Sequence, residues 1–212
     1  MCMAVITPTI TTSDAHEYRE QLQIIAGYAS GVHIDFADGV FAPNRLLPLS
    51  QAWRPDDLIV HAHIMYKNPL SQMKHIIGLG ADLVILHAES QKLDECLEQL
   101  AEAGVRAGIA LLPDTHVSEL SQYEGMFEHV LVFGGNLGFQ GGEADLSQVD
   151  KVHEIKQLYP DVEISWDGGV NDANVKTLAS AGVDVLNVGG FLKKADDPQM
   201  TYTILQEIAS AF

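Results

Sequence analysis

Gly31-Val32-His33-Ile34-Asp35-Phe36-Ala37-Asp38-Gly39-Val40-Phe41-Ala42-Pro43-Asn44 is an apolar run broken by one histidine and one aspartate two positions apart. On a strand, residues i and i+2 share a face, so His33 and Asp35 point inward together. Polar groups on the inner face of a buried strand are costly unless satisfied, and a metal ion is the most economical satisfier of such a pair. Asp38-Gly39 is a turn signal, which places the pair near the C-terminal end of its strand.

The pattern returns downstream. Ile59-Val60-His61-Ala62-His63-Ile64-Met65 carries two same-face histidines, and Ile164-Ser165-Trp166-Asp167-Gly168-Gly169 ends a third run on a carboxylate followed by two glycines. Three strand ends therefore offer His33, Asp35, His63 and Asp167. Two histidines and two aspartates suit one divalent ion of the zinc, iron, manganese or cobalt type better than calcium or magnesium. His61 is read as a supporting group, and His87 with Glu89 as a hydrogen-bonded pair closing one side.

Between these runs, strands and amphipathic helices alternate. Strands are expected at 4–10, 32–36, 58–65, 82–87, 105–112, 129–133, 162–166 and 184–188, with helices between them. The exceptions are a long polar loop holding Pro43, Asn44 and Pro48 after the second strand and a short helix near 117–122 after the fifth. Thr12, Ser13 and Asp14 offer caps for the first helix, Asn68-Pro69 opens another, and Gly104 and Gly182 stop two more. Strands that read as continuous apolar runs, eight times at roughly 25–30 residues per unit, are the signature of a parallel (β/α)8 TIM barrel. No linker or low-complexity segment divides the 212 residues, so one domain over 1–212 is expected.

Composition narrows the partners. The net charge of −17 argues against nucleic acid or an anionic membrane surface. An anionic small molecule remains compatible, because local backbone dipoles can overrule the global field. No apolar run approaches the roughly 20 residues of a membrane span. Met1–Val5 lacks a basic signal-peptide region, and Cys2 and Cys96 make no disulfide framework, so the cytoplasm is the expected compartment. Glycine-rich loops follow the sixth, seventh and eighth strands: Gly138–Gly142, Gly168-Gly169 and Gly189-Gly190. Late barrel loops of this kind suit a phosphate. A metal on one side and a phosphate cradle on the other would hold a short sugar phosphate across the barrel mouth.

These pieces resemble the ribulose-phosphate 3-epimerase family nearly end to end. The likeness is carried by Thr7-Pro8-Thr9-Ile10, the His33–Asn44 stretch, His63-Ile64-Met65 with Asn68-Pro69, His87-Ala88-Glu89, Asn136-Leu137-Gly138-Phe139-Gln140-Gly141, Asp167-Gly168-Gly169-Val170 and Gly189-Gly190. It implies an isomerase of the pentose phosphate pathway, in carbohydrate metabolism, with His33, Asp35, His63 and Asp167 as ligands. Asp35 and Asp167 would also be the catalytic acid and base.

By the same resemblance Thr9, His63, Met65, Gly138, Phe139, Gln140 and Gly141 would border the substrate. Gly168, Gly169, Gly189 and Gly190 would take its phosphate through backbone amides. The sequence departs from the family at Thr9 (usually serine), Ala37 (methionine), His61 (acidic), Phe133-Gly134-Gly135 (Met-Thr-Val), Leu137 (proline), Gln140 (glycine) and Gly190 (serine). D-Ribulose 5-phosphate is the expected substrate. A longer ketose phosphate such as D-allulose 6-phosphate is the alternative, with Gly134-Gly135 as a possible source of room. An aldol-type synthase would call for a lysine, with Lys67, Lys193 and Lys194 in reach. A non-catalytic sugar-phosphate-binding protein would lack an aspartate. A homo-oligomer is expected.

Overall fold

The computed structural model describes residues 3–211, so Cys2 lies outside the described residues. Eight strands close into a parallel barrel in sequence order: β1 (Val5–Ile10), β2 (Gly31–Ala37), β3 (Ile59–Met65), β4 (Leu83–His87), β5 (Arg106–Leu111), β6 (His129–Phe133), β7 (Glu163–Asp167) and β8 (Val185–Val188). The helices α1 (Ala15–Ala26), α2 (Met73–Gly78), α3 (Leu93–Glu102), α4 (Val149–Leu158), α5 (Val175–Ser180), α6 (Gly190–Lys193) and α7 (Pro198–Ala209) pack outside.

The expected α/β barrel is therefore found, and its two irregular connections fall where the sequence places the long loop and the short helix. The connection from β2 to β3 holds only a 3-10 turn, Leu49–Gln51, and that from β5 to β6 only a 3-10 helix, Val117–Tyr123. Pro43 and Pro48 remove backbone donors from the first of these segments, which blocks an α-helical ladder there. Of the three expected caps, Asp14 serves α1, accepting from the amides of His16 and Glu17 at 2.8 Å each.

Alternation along each strand separates two environments. Val32, Ile34 and Phe36 on β2 join the main core between barrel and helices. His33 and Asp35 point to the interior, as period two requires. That interior is apolar on one side, where Leu83, Ile85, Ala110, Leu131 and Phe133 pack together. Registration sets the mouth: Thr9 pairs with His33, Asp35 with His63, and Asp167 with Asn187. Among the described residues no helix is long and apolar enough to cross a membrane.

Candidate active site

His33, Asp35, His63 and Asp167 converge at the C-terminal ends of β2, β3 and β7, with one ligand atom from each within 4.8 Å of the others. All four are buried. Nδ1 of His63 lies 2.9 Å from Asp35 Oδ1 and 3.7 Å from Asp167 Oδ2. Nε2 of His33 lies 3.3 Å from Asp35 Oδ1 but off the hydrogen-bonding direction, so neither ring nitrogen of His33 has a partner. A buried imidazole left dry on both nitrogens, beside two carboxylates, is a site that can hold a metal ion.

The hydrogen-bond chain behind His63 makes the same point. Its Nε2 lies 2.8 Å from Nε2 of His87, whose Nδ1 lies 3.3 Å from Glu89 Oε2. Glu89 is held below the usual carboxylate range: burial opposes this, but His87, the Thr115 hydroxyl and the Leu112 amide outweigh it. An ionised Glu89 only accepts, so the proton of His87 belongs on Nδ1. Burial pushes His87 down to about 4, so the ring is neutral and its Nε2 must accept from His63. Nδ1 of His63 then faces the carboxylate oxygens as a bare lone pair unless a cation, metal ion or proton, lies between them. The residues present fit a divalent metal.

The two aspartates are electrostatically unlike. Burial penalises the ionised form of Asp35, but His33 and His63 outweigh it and hold Asp35 well below its usual range. Thr11 adds a hydroxyl hydrogen bond to Asp35 Oδ2 at 2.6 Å. Asp167, which no side chain bonds, is pushed up to about 6 by burial and then by the Asp35 charge. Two carboxylates with opposed environments are a ready base and acid.

A cavity opens from this cluster toward the late loops. Of the expected substrate-bordering residues, Thr9, Met65, Gly138, Phe139, Gln140, Gly141, Gly168, Gly169, Gly189 and Gly190 lie on its wall, while His63 sits behind it in the carboxylate cluster. The loops interlock backbone to backbone. A Cβ on Gly168 would stand 2.3 Å from the Gly135 nitrogen, and one on Gly169 2.2 Å from the Ala144 nitrogen. The space beside Gly134 is not open to a larger substrate, because Trp166 fills it and a Cβ there would meet Cζ2 at 2.4 Å. Gln140 leans over Gly189, with its Nε2 3.0 Å from where a Cβ would stand.

His61 faces deeper into the barrel, its ring 6.1 Å from that of His129 and outside the metal set. Residues given no substrate role from the sequence also line the cavity: Thr11, Phe133, Asn136 and Asn187, together with Lys194, which the sequence offers only as a lysine for aldol chemistry. Asn187 had a visible signal, an amide inside the apolar run Val185-Leu186-Asn187-Val188. Thr11 had none, because only the fold brings it to Asp35.

A sequence model of the ribulose-phosphate 3-epimerase family matches residues 5–192. The chain belongs to the ribulose-phosphate 3-epimerase family. It is therefore an enzyme of the isomerase class. Ribulose-phosphate 3-epimerase of Bacillus subtilis is 31% identical over 197 residues, 88% of this chain and 91% of that one. The Aquifex aeolicus ribulose-phosphate 3-epimerase is 28% identical, covering 92% of both. The chloroplastic ribulose-5-phosphate-3-epimerase of Arabidopsis thaliana is 31% identical over 91% of this chain and 73% of its own length. Among solved structures, 3-hexulose-6-phosphate synthase of Salmonella typhimurium superposes with a TM-score of 0.75 at 15% identity, covering 99% of this chain and 98% of that one. At that identity the likeness concerns the barrel alone.

Proposed function

We propose that this member of the family is a metal-dependent epimerase that inverts C3 of D-ribulose 5-phosphate to give D-xylulose 5-phosphate. The observation that carries it is the four-ligand cluster whose two carboxylates sit in opposed electrostatic environments, Asp35 shifted down and Asp167 up. A carbon beside a carbonyl is inverted by removing its proton on one face and returning one on the other. One base cannot reach both faces, so two acid/base groups are required.

Asp35, ionised, takes the C3 proton, and the C–H electron pair moves into the C2–C3 enediolate. Asp167, the carboxylate of the pair more readily protonated, delivers a proton to the opposite face of C3, and the roles exchange in reverse. His33, Asp35, His63 and Asp167 would hold a divalent ion, which when bound would supply Lewis acidity for polarising the substrate carbonyl. Backbone amides of Gly168, Gly169, Gly189 and Gly190 take the phosphate. Lys194, whose Nζ lies 3.8 Å from a Cβ placed on Gly141, adds a positive charge at that end. Thr9, Met65 and the loop Gly138, Phe139, Gln140, Gly141 enclose the sugar.

The filled space beside Gly134 offers no room for a sixth carbon there, so the six-carbon alternative rests on the altered loop around Leu137 and Gln140 alone. For aldol chemistry, Lys67 lies outside this cavity and Lys193 is paired with Glu17 at 2.6 Å. We assign the activity to the pentose phosphate pathway, in the cytoplasm, and to a homo-oligomer of single-domain chains, an assembly that sedimentation would read.

Proton exchange in D₂O with metal-loaded enzyme tests the reading. Deuterium is expected at C3 of D-ribulose 5-phosphate as D-xylulose 5-phosphate appears. Asp35→Asn and Asp167→Asn each should lower the rate at least a thousandfold, and a chelator should abolish it reversibly. Exchange on a hexulose phosphate alone would move the specificity. Bound metal with no exchange on any ketose phosphate would refute the enzyme reading.

A further inference from the structure

Among the described residues, six buried side-chain nitrogen or oxygen atoms lack a hydrogen-bond partner, and five of them belong to Thr9, His33 and Asn187 at the barrel mouth. The metal set accounts for His33. Asn187 belongs to no part of the machinery set out above. It is 2% exposed, both its Nδ2 and its Oδ1 are dry, and it lies on the cavity wall. A buried amide that leaves both donor and acceptor unmade is destabilising, so its native partner is something the cavity receives.

Its position says which part of the ligand that is. On β8, Asn187 is in register with Asp167 on one side and Thr7 on the other. Two residues beyond it comes Gly189, as Gly168 follows Asp167. Asn187 therefore stands beside Asp167 in the carboxylate layer, at the foot of the two glycine turns. Its chemistry narrows the partner further. A phosphate would be repelled by Oδ1, and a cation by the amide NH₂. A hydroxyl, which both donates and accepts, satisfies both atoms.

We propose that Asn187 is a specificity-determining residue that reads the hydroxyl on the carbon between the inverted centre and the phosphate, the C4 hydroxyl of a pentulose 5-phosphate. This rests on the ketose-phosphate reading given above. Thr9, the other dry hydroxyl-bearing group on this wall, lies on the neighbouring strand β1. The two present a polyol-reading edge away from the His63–His87 side.

The test uses the metal-loaded protein. Asn187→Val should raise KM for D-ribulose 5-phosphate at least tenfold, with the loss falling in KM rather than in kcat, because the contact is made equally in ground and transition states. Asn187→Ser, which keeps one hydrogen-bonding group and covers the case of a poorly folding valine variant, should fall between. Calorimetry in an Asp35→Asn background, where turnover is absent, should show the same tenfold weakening of D-ribulose 5-phosphate binding. With 4-deoxy-D-ribulose 5-phosphate the wild-type and Asn187→Val side chains should bind equally.

Melting alone does not decide, since a core amide that merely holds a water would shift the melting temperature and leave KM in place. KM and Kd within twofold of the parent in both variants would overturn the assignment while leaving the epimerase reading intact. A protein that binds no ketose phosphate would overturn both.

Discussion

His63 sets the residue scale, because one ring nitrogen faces the aspartates and the other is fixed through His87 to Glu89. A ligand histidine held this way keeps the tautomer that coordination needs, and partners of this kind are typically worth about 10–100-fold in metal affinity. Glu89→Gln removes the charge that fixes the His87 proton. It should weaken zinc or cobalt binding by about tenfold or more in a chelator-competition titration, with little change in the far-ultraviolet spectrum. Thr11→Val, which deletes the 2.6 Å hydrogen bond to Asp35, should lower kcat by about tenfold, a loss of order 1.4 kcal/mol in transition-state stabilisation, read by steady-state kinetics.

At the scale of elements, the barrel mouth is held by the interlock of the loops after β6 and β7. Gly168 has φ 116° and its absent Cβ would coincide with backbone of Gly135, so no side-chain rearrangement relieves a substitution. Gly80 also has positive φ, 63°, but nothing lies within 4 Å of its Cβ position. Gly80→Ala should cost about 1 kcal/mol from backbone conformation alone. Gly168→Ala should cost about 3 kcal/mol or more in urea denaturation and weaken sugar-phosphate binding as well. Equal costs at the two positions would refute the interlock. The 3-10 connections after β2 and β5 also belong to this scale, since Pro43 and Pro48 mark the first as a loop in the sequence itself.

Across the whole molecule, the lower barrel interior carries titratable groups that must stay neutral. Burial, and then His129, pushes His61 down to about 3, and burial likewise lowers His129 despite its hydrogen bond to Glu163. A histidine whose folded pKa lies below its unfolded value of about 6.5 binds fewer protons when folded. Its contribution is complete above pH 6.5 and is lost as pH falls, by up to about 1.4 kcal/mol per pH unit for each group. Glu163, lowered to about 2 chiefly by its bond to His129, acts in the same direction below pH 4.5. These three groups should therefore lower stability on acidification from pH 6.5, partly offset between about pH 6 and about pH 4 by Asp167, whose raised pKa has the opposite sign. His61→Asn should flatten that limb in denaturation curves taken at pH 7, 6 and 5.

The barrel and the convergence of His33, Asp35, His63 and Asp167 were legible in the sequence because both rest on short-range regularities. Apolar runs at strand spacing mark the eight strands, and period two places His33 with Asp35 and His63 at strand ends. The Gly168-Gly169 and Gly189-Gly190 pairs announce turns by composition alone. What depends on contacts between strands distant in sequence was not legible. Thr11 reaches Asp35 across 24 residues, His87 reaches His63 across 24, and Trp166 occupies the space that Gly134 seemed to leave free. Asn187 shows the boundary. Its polarity was visible in an apolar strand, but only closure of β8 against β1 and β7 revealed that neither of its amide atoms finds a partner within the protein. Local pattern determines which face a residue takes. Which groups meet on that face, and which are left for a ligand, is decided by barrel closure, since that brings together strands whose sequences carry no record of one another.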